Sequence, residues 1–371
     1  MELINETPLP AALVPSAAPG DMMRVLFLCA ATFRLGADRA GLAREQRPLS
    51  LGPAEVVPGD ASAYRACASV CATGAVYPPG GEAREAMAEL AVGERRHRIL
   101  AVGPRTWREG LGGALVATQP LPFRAMPMTW ENAFGGKVRR KAALVEHRGR
   151  QAILPAHEVM FPANPEGRGF QVDLAAARDQ PLPCLEHPEQ RITAWDQHPE
   201  PVCFAPYPVW GGLRVAFVPE RLRSELVERR GDTHRPRYPL GPELLRRLRE
   251  GDPGLRHAEA DLARLESRAA PRGTFDSIPW GTPIVLAGMR PRGEVLSFAL
   301  PAPPARLTLQ IGASERAAPL ALDAVDIDAE ARVARVVYRA RFTYPVIAYE
   351  LRRAALRPGP DFPASPVEQA R

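Results

Sequence analysis

Residues 22–35, with the sequence MMRVLFLCAATFRL, form the stretch that decides the fold. Apart from Arg24 its first half is a continuous apolar run, whereas apolar and polar residues alternate in its second half, as in Phe33, Arg34 and Leu35. A continuous run predicts a strand that is buried on both faces, and alternation predicts a strand that is buried on one face only. The stretch therefore predicts one long β-strand, buried at its start and half-exposed at its end.

Further strand signals lie on either side of this stretch in the chain. Alternating apolar residues recur at residues 296–300, 307–311 and 333–340, and a short apolar run lies at residues 98–102. Short turn signals with Pro, Gly and Asp separate the C-terminal runs, which predicts an antiparallel sandwich or barrel. The 41 Pro and 30 Gly among 371 residues exclude a long-helix bundle or a coiled coil.

The middle of the chain lacks these clean strand patterns. Residues 119–215 are dense in Pro, Gly and aromatic residues, which is typical of ordered loops over a β scaffold. Apolar spacing and capping residues then predict three helices, at residues 219–230, 243–250 and 252–265.

The predicted fold class is mainly β, a β-rich α+β arrangement of antiparallel sandwich-like or barrel-like domains with long Pro-rich loops and a short helical insert. The predicted segments are a β-rich domain with the motif loops at residues 1–215, an Arg-rich helical insert at 216–270, a C-terminal antiparallel β unit at 271–350 and a disordered tail at 351–371.

The charge of the chain is weak evidence for a nucleic-acid partner. The net charge is +6, and residues 214–272 hold 14 Arg against 10 acidic residues, with the two signs interleaved as in solvated helix pairs. We therefore expect no nucleic acid as a partner. No apolar run approaches the roughly 18 residues of a membrane span, and the N-terminus lacks the features of a secretory signal. We expect no membrane partner and a cytoplasmic location.

A search for catalytic or metal-binding patterns finds little. The five Cys (Cys29, Cys67, Cys71, Cys184 and Cys203) are odd in number and complete no zinc set with the scattered His, which favours buried core cysteines. We find no nucleotide-binding loop and no nucleophile motif. Glu131 and Glu186, in aromatic and Pro-rich loops, leave open a carbohydrate-active hydrolase with two catalytic acids. The other interpretation is that such a Glu is buried and accepts backbone N–H groups of its loop.

Several short segments together resemble one bacterial family, the proteins built on domain of unknown function 2169 and linked to type VI secretion. In chain order these segments are MELINETP at residues 1–8, ATFRL at 31–35, LPF at 121–123, MPMTWENAFGG at 126–136, NPEGRGF at 164–170, LPCLEHP at 182–188, GTPIVL at 281–286, FALP at 298–301 and DAVDID at 323–328. Residues 62–76 and 211–270 fit the family pattern poorly, and the second region is where a difference in partner choice is expected.

The resemblance implies a protein that is not an enzyme and needs no cofactor. It implies a cytoplasmic chaperone or adaptor that binds a type VI effector, a toxin with a PAAR or Rhs region, and helps to load it onto the VgrG and PAAR spike. It identifies no catalytic residues.

The strongest motifs supply the candidate site residues, which are Trp130, Glu131, Phe134, Gly135, Gly136, Asn164, Gly167, Arg168, Gly169 and Phe170. Paired Gly permit a positive φ and a close approach of two backbones. One interpretation is that these residues are loop scaffolding. The other is that Trp130, Phe134, Arg168 and Phe170 lie on or under a partner surface, where aromatic residues and Arg serve as anchors.

Overall fold

The fold is described here from a computed structural model. It describes residues 2–18, 22–36, 40–51, 59–61, 65, 67–147, 150–208, 227–230, 233–236, 266–311, 313–345, 351–360 and 362. The strands, in chain order, are β1 (Glu2–Asn5), β2 (Ala11–Ala18), β3 (Met22–Leu35), β4 (Ala40–Leu42), β5 (Ala68–Thr73), β6 (Ala75–Val76), β7 (Glu85–Val92), β8 (Arg95–Val102), β9 (Trp107–Glu109), β10 (Leu115–Ala117), β11 (Met126–Pro127), β12 (Phe134–Gly135), β13 (Lys137–Arg140), β14 (Ala143–His147), β15 (Arg150–Leu154), β16 (His157–Met160), β17 (Arg168–Gly169), β18 (Leu185–Glu186), β19 (Val227–Arg230), β20 (Thr233–Pro236), β21 (Thr274–Phe275), β22 (Pro283–Ala287), β23 (Leu296–Ala299), β24 (Ala305–Ile311), β25 (Ser314–Ala318), β26 (Ala321–Asp328), β27 (Val333–Pro345) and β28 (Leu351–Pro358).

The long strand predicted from residues 22–35 is confirmed as β3, which spans the whole stretch. Its apolar run is buried, and Arg34 at its end is exposed. Thr32 is buried as well, and its hydroxyl accepts a hydrogen bond from the backbone N–H of Arg47 at 2.9 Å. The chain after the strand thus covers part of the face that alternation predicted to be open.

Three larger sheets form the body of the described structure. The first contains seven strands in the order β2-β3-β27-β26-β5-β21, with β4 paired to β3; the second has the order β18-β8-β7-β22-β23, and the third has the order β1-β28-β24-β25. One buried apolar cluster contains residues of all three sheets, such as Phe27, Leu90 and Leu307. The predicted fold class is confirmed: the structure is mainly β.

Short helical segments contribute little to this body. The α-helix α1 spans Leu174–Ala177, and the side chain of Asp173 caps it by accepting from the backbone N–H of Ala176. The 3-10 segments span Leu111–Gly113, Trp130–Asn132, Pro271–Gly273 and Pro291–Gly293.

The strands do not sort into the units predicted at residues 1–215 and 271–350. β3 pairs with β27 along its length, with Ala31 opposite Val336, and β7 pairs with β22. Strands from the two ends of the chain therefore alternate within the same sheets. The division of the chain at residue 271 stays a prediction, and local sequence patterns carry no information on which distant strands pair.

Two segments predicted to be a disordered tail and a helix contain strands. Residues 351–358 of the tail predicted to be disordered form β28, which lies between β1 and β24 because its apolar residues Ala354 and Leu356 join the main core. Of the helix predicted at residues 219–230, the described residues 227–230 form the strand β19, which pairs with β20. The helices predicted at residues 243–250 and 252–265, and the end of the tail from residue 363, lie outside the described residues.

Candidate functional site

The candidate residues form a clamp between two loops, residues 130–136 and 164–170, hereafter the motif clamp. The amide of Asn164 joins the two loops. Its Nδ2 donates to the backbone oxygen of Trp130 at 2.7 Å and to that of Phe134 at 3.0 Å. Asn164 is buried, and its bond to Trp130 adds to that of the backbone N–H of Ala133, which donates to the same oxygen at 3.2 Å. The side chain of Asn164 thus supplies hydrogen-bond donors to two backbone oxygens of the facing loop.

Backbone pairing continues the clamp. β12 and β17 pair in parallel, with Phe134 opposite Arg168 and Gly135 opposite Gly169. Arg168 is half-buried, and its Nε donates to the backbone oxygen of Glu131 at 2.8 Å. Gly135 has a φ of 148° and Gly169 a φ of 97°, conformations that side chains disfavour. The sequence prediction of positive φ at the paired glycines is confirmed.

The aromatic residues of the clamp are packed inside the molecule. The ring of Phe134 meets that of Phe161 edge-on at 4.9 Å, and Phe161 lies 5.5 Å from Phe170. Together with Trp107 and Leu115 these residues belong to a second apolar cluster, hereafter the satellite core. Phe134 and Phe170 therefore lie beneath the surface, as scaffolding residues do, and contact of this region with a partner stays a prediction.

Trp130 connects the motif clamp to the main core. It is 5% exposed, and its indole Nε1 donates to the backbone oxygen of Pro206 at 3.0 Å. Its ring lies 4.7 Å from that of Tyr207, whose hydroxyl donates to the backbone oxygen of Ala163 at 2.6 Å. The two aromatic residues thereby fix both loops of the clamp against residues 205–207. Trp130 anchors the fold and presents no open face to a partner.

A two-stranded ribbon of residues 137–160, hereafter the β-arm, begins and ends at the motif clamp. β13 pairs with β16 at its base and β14 pairs with β15 beyond. The backbone N–H of Phe161, directly after the β-arm, donates to the oxygen of Gly136, directly before it, at 2.9 Å. Val138 and Val159 pack against the satellite core. The clamp residues thus hold both chain ends of the β-arm in place.

The two glutamates of the hydrolase alternative lie in different environments. Glu131 is exposed, whereas the side chain of Glu186 is 1% exposed and forms an ion pair with Arg105. Burial raises the pKa of Glu186, while Arg105 and the backbone N–H of Ile192 oppose the rise. Glu186 is therefore buried, as the second interpretation predicted, and the side chain of Arg105 donates to its carboxylate.

A comparison of the sequence with known protein families identifies one match, which covers most of the chain. The family model described as an uncharacterized protein conserved in bacteria, DUF2169, matches residues 21–339. The chain belongs to the DUF2169 family. The match includes the motif clamp, the β-arm and most strands of the three sheets. No curated protein and no solved structure matches the DUF2169 chain. None of the helices in the described part of the chain has the length and apolar character needed to cross a membrane.

The DUF2169 chain also contains a buried ionic network that the sequence reasoning missed. Asp323 forms an ion pair with Arg339 at 2.9 Å and accepts from Arg65 Nε at the same distance. Asp60 pairs with Arg335, and Asp326 bridges Arg335 and Arg268. Asp323 and Asp326 belong to the DAVDID segment, so this family-like motif supplies the counter-ions of buried arginines. The alternating pattern along β27 placed Arg335 and Arg339 on one face of a strand, but it did not show that this face is buried.

Burial and pairing shift the pKa values within this network. Burial alone raises the pKa of Asp60, but the Arg335 and Arg268 guanidinium groups hold it below its ordinary value. Burial lowers the pKa of Arg339 to about 10 against the opposing effect of Asp323, and Arg65 adds to the lowering. Cys67 and Cys71 are buried beside these groups, and within the described residues no three His, Cys, Asp or Glu side chains are placed to hold a metal ion.

His97 lines a small cavity of about 40 Å³ together with Trp130, Cys203 and Arg272. Burial, reinforced by Arg95 and Arg272, lowers the pKa of His97 from 6.5 to about 4. Its Nε2 has no hydrogen-bond partner among the described residues. The folded protein therefore holds this imidazole neutral over a range in which an unfolded chain protonates it.

We expect His97→Gln to reduce the loss of stability on mild acidification. Between pH 6.5 and about 4 the unfolded chain binds a proton at His97 that the folded chain does not, so the free energy of unfolding falls as the pH falls through this window. Gln is neutral throughout, which removes this contribution. Urea unfolding from about pH 7 to pH 4.5 measures the slope. His157→Gln on the β-arm is the control, and an unchanged slope in His97→Gln would contradict the assignment.

Proposed function

We propose that this DUF2169 protein is a non-enzymatic cytoplasmic adaptor that binds and stabilises a type VI secretion effector, a toxin with a PAAR or Rhs region, and helps to load it onto the VgrG and PAAR spike. The family-like motifs support this proposal through their similarity to type VI accessory proteins. Their residues build a packed clamp instead of an open reactive site, which agrees with a binding role.

The observation that carries the proposal is the exposure of large apolar side chains on two ribbons beside the satellite core. Leu111, at the turn between β9 and β10, is fully exposed, and Val116 on β10 is half-exposed. Ile153 on the β-arm is 75% exposed. Single exposed apolar residues are ordinary, but a protein that shields an apolar segment of another needs such residues where they can be reached. Trp107 and Leu115 of the first ribbon lie in the satellite core, and Val138 and Val159 at the base of the β-arm pack against it.

Co-expression with the toxin or PAAR gene encoded beside this one tests the proposal. We expect the two proteins to co-elute in size-exclusion chromatography, and we expect the toxin to be insoluble or degraded when it is expressed alone. The physical reason is that a binder of the folded toxin stabilises it by mass action and covers surface that would otherwise aggregate. Independent elution of a toxin that is stable by itself would contradict the proposal.

The hydrolase alternative has less support from the geometry. A glycosidase needs two carboxyl groups that flank a sugar. The side chain of Glu186 is only 1% exposed and pairs with Arg105, so its carboxyl group is not open to a sugar. Incubation of the purified protein with a panel of polysaccharides separates the two functions. The adaptor predicts no reducing-sugar release, whereas a hydrolase predicts release that Glu131→Gln abolishes.

A further inference from the structure

The outer half of the β-arm stands on its own as a sheet of two strands. β14 and β15 pair only with each other in the part of the chain that the structure describes, with Leu144 opposite Ile153 and Val145 opposite Ala152. An isolated two-stranded ribbon is marginally stable in water. At ~3.3 Å per residue the five paired residues of each outer strand span about 17 Å. Among the described residues no further strand pairs with either outer edge of this ribbon.

The outer half of the β-arm is more apolar than a solvent-exposed ribbon requires. Residues 143–145 read Ala-Leu-Val and residues 152–154 read Ala-Ile-Leu, so three of the five cross-strand pairs are apolar, whereas Glu146 with Gln151 and His147 with Arg150 are polar. Two strands alone cannot cover both of their faces. Ile153 is 75% exposed, and its neighbours Gln151 and Pro155 are exposed as well. The described side chains of this half thus face solvent instead of a core.

Basic residues flank this apolar region. Residues 137–160 contain six Lys or Arg against two Glu, and both Lys of the chain are among them. Arg139, Arg140 and Lys141 lie exposed between the base and the apolar pairs. Their positive charge complements acidic groups and disfavours a basic partner.

We propose that the outer half of the β-arm docks an extended apolar segment of a partner protein with acidic residues beside it, added as a strand along one edge of the ribbon. This inference rests on the proposed function and names the surface and the partner chemistry for it. Main-chain pairing supplies affinity in such an arrangement, while the apolar and basic side chains supply specificity. The apolar pairs favour a protein partner over nucleic acid, because a phosphate backbone gains nothing from Leu144 and Ile153.

Fluorescence anisotropy with the full-length protein tests this docking surface. The probe is a labelled peptide of about ten residues with alternating Val and Asp, long enough to extend past both ends of a five-residue strand. We expect Ile153→Glu to weaken its binding about tenfold or more, because the change removes apolar contact and adds a like charge. The double variant Arg140→Glu/Lys141→Glu should weaken binding similarly. Val295→Glu, at an exposed apolar residue outside the β-arm, is the matched control and should bind as the wild type does.

Each other outcome of this experiment would overturn the inference. Binding of the peptide by Ile153→Glu as tightly as by the wild type would show that the β-arm is not required. Binding of duplex DNA of about 20 base pairs in place of the peptide, lost in the charge variant, would indicate a nucleic-acid ribbon. Self-association that disappears in Ile153→Glu would indicate a second copy of the chain as the occupant. Thermal unfolding of the variants confirms that the body remains folded.

The inference and the proposed function fail in distinguishable ways. If the neighbouring toxin co-elutes equally with the wild type and with Ile153→Glu, the adaptor function stands and the β-arm is not its docking surface. If the β-arm binds the acidic peptide while no toxin co-elutes, the docking surface is supported and the adaptor function for that toxin is contradicted.

Discussion

Asp323→Asn is expected to lower the free energy of unfolding by about 3–5 kcal/mol, the cost of removing one partner from a buried ion pair. Asp323 is buried between Arg65, whose side chain has no exposed surface, and Arg339. Asn keeps the shape of the side chain and removes its charge. Two largely buried guanidinium groups are then left without this counter-ion. Urea unfolding of the wild type and the variant at neutral pH measures the difference.

Glu82→Gln provides the matched control for this substitution. Glu82 pairs with Arg124 at 3.8 Å, and both side chains are more than half exposed. Exposed pairs of this kind contribute at most about 1 kcal/mol, because solvent screens both charges. A loss of less than about 1 kcal/mol in Asp323→Asn as well would show that the buried arginines are neutralised by other groups.

The ionic network marks one limit of what the sequence predicts. Arg335 and Arg339 alternate with apolar residues along β27, which reads locally as a solvent-facing strand. They are buried because Asp60, 275 residues from Arg335 in the sequence, and Asp323, on the neighbouring strand β26, supply negative charge beside them. The same limit applies to strand pairing, since the pairing of β3 with β27 joins segments about 300 residues apart. Local periodicity determines that a strand forms and which residues share a face, and distant partners determine what covers that face.

The motif clamp was more accessible to sequence reasoning. The paired glycines predicted a close backbone approach with positive φ, and Gly135 and Gly136 have both features. The role of Asn164 was not predictable in the same way, because a side-chain amide can serve any carbonyl that the fold brings near it. Its two acceptors, the oxygens of Trp130 and Phe134, lie some 30 residues earlier in the chain. The sequence therefore located the clamp, whereas only the structure shows how it holds the β-arm.

Gly135→Ala is expected to destabilise the protein by about 3 kcal/mol or more, since it combines backbone strain with a steric clash. A Cβ on Gly135 would lie 2.0 Å from the backbone oxygen of Asn164, and this oxygen accepts a hydrogen bond from Gly136. The φ of 148° is also disfavoured for Ala. Neither loop can move aside alone, because the amide of Asn164 ties it to the other.

Two further Gly→Ala variants separate the contributions to this effect. Gly81 has a φ of 87° with open space around its Cα, so its replacement should cost only the backbone term of about 1 kcal/mol. Gly41 has open space and no such φ, and its replacement should change stability by less than about 0.5 kcal/mol. Amide hydrogen exchange then locates the damage. In Gly135→Ala the amide of Phe161, which bonds across the base of the β-arm, should lose protection before the amides of β3 do. Equal loss at both places would mean that the clamp supports the whole fold and has no special relation to the β-arm.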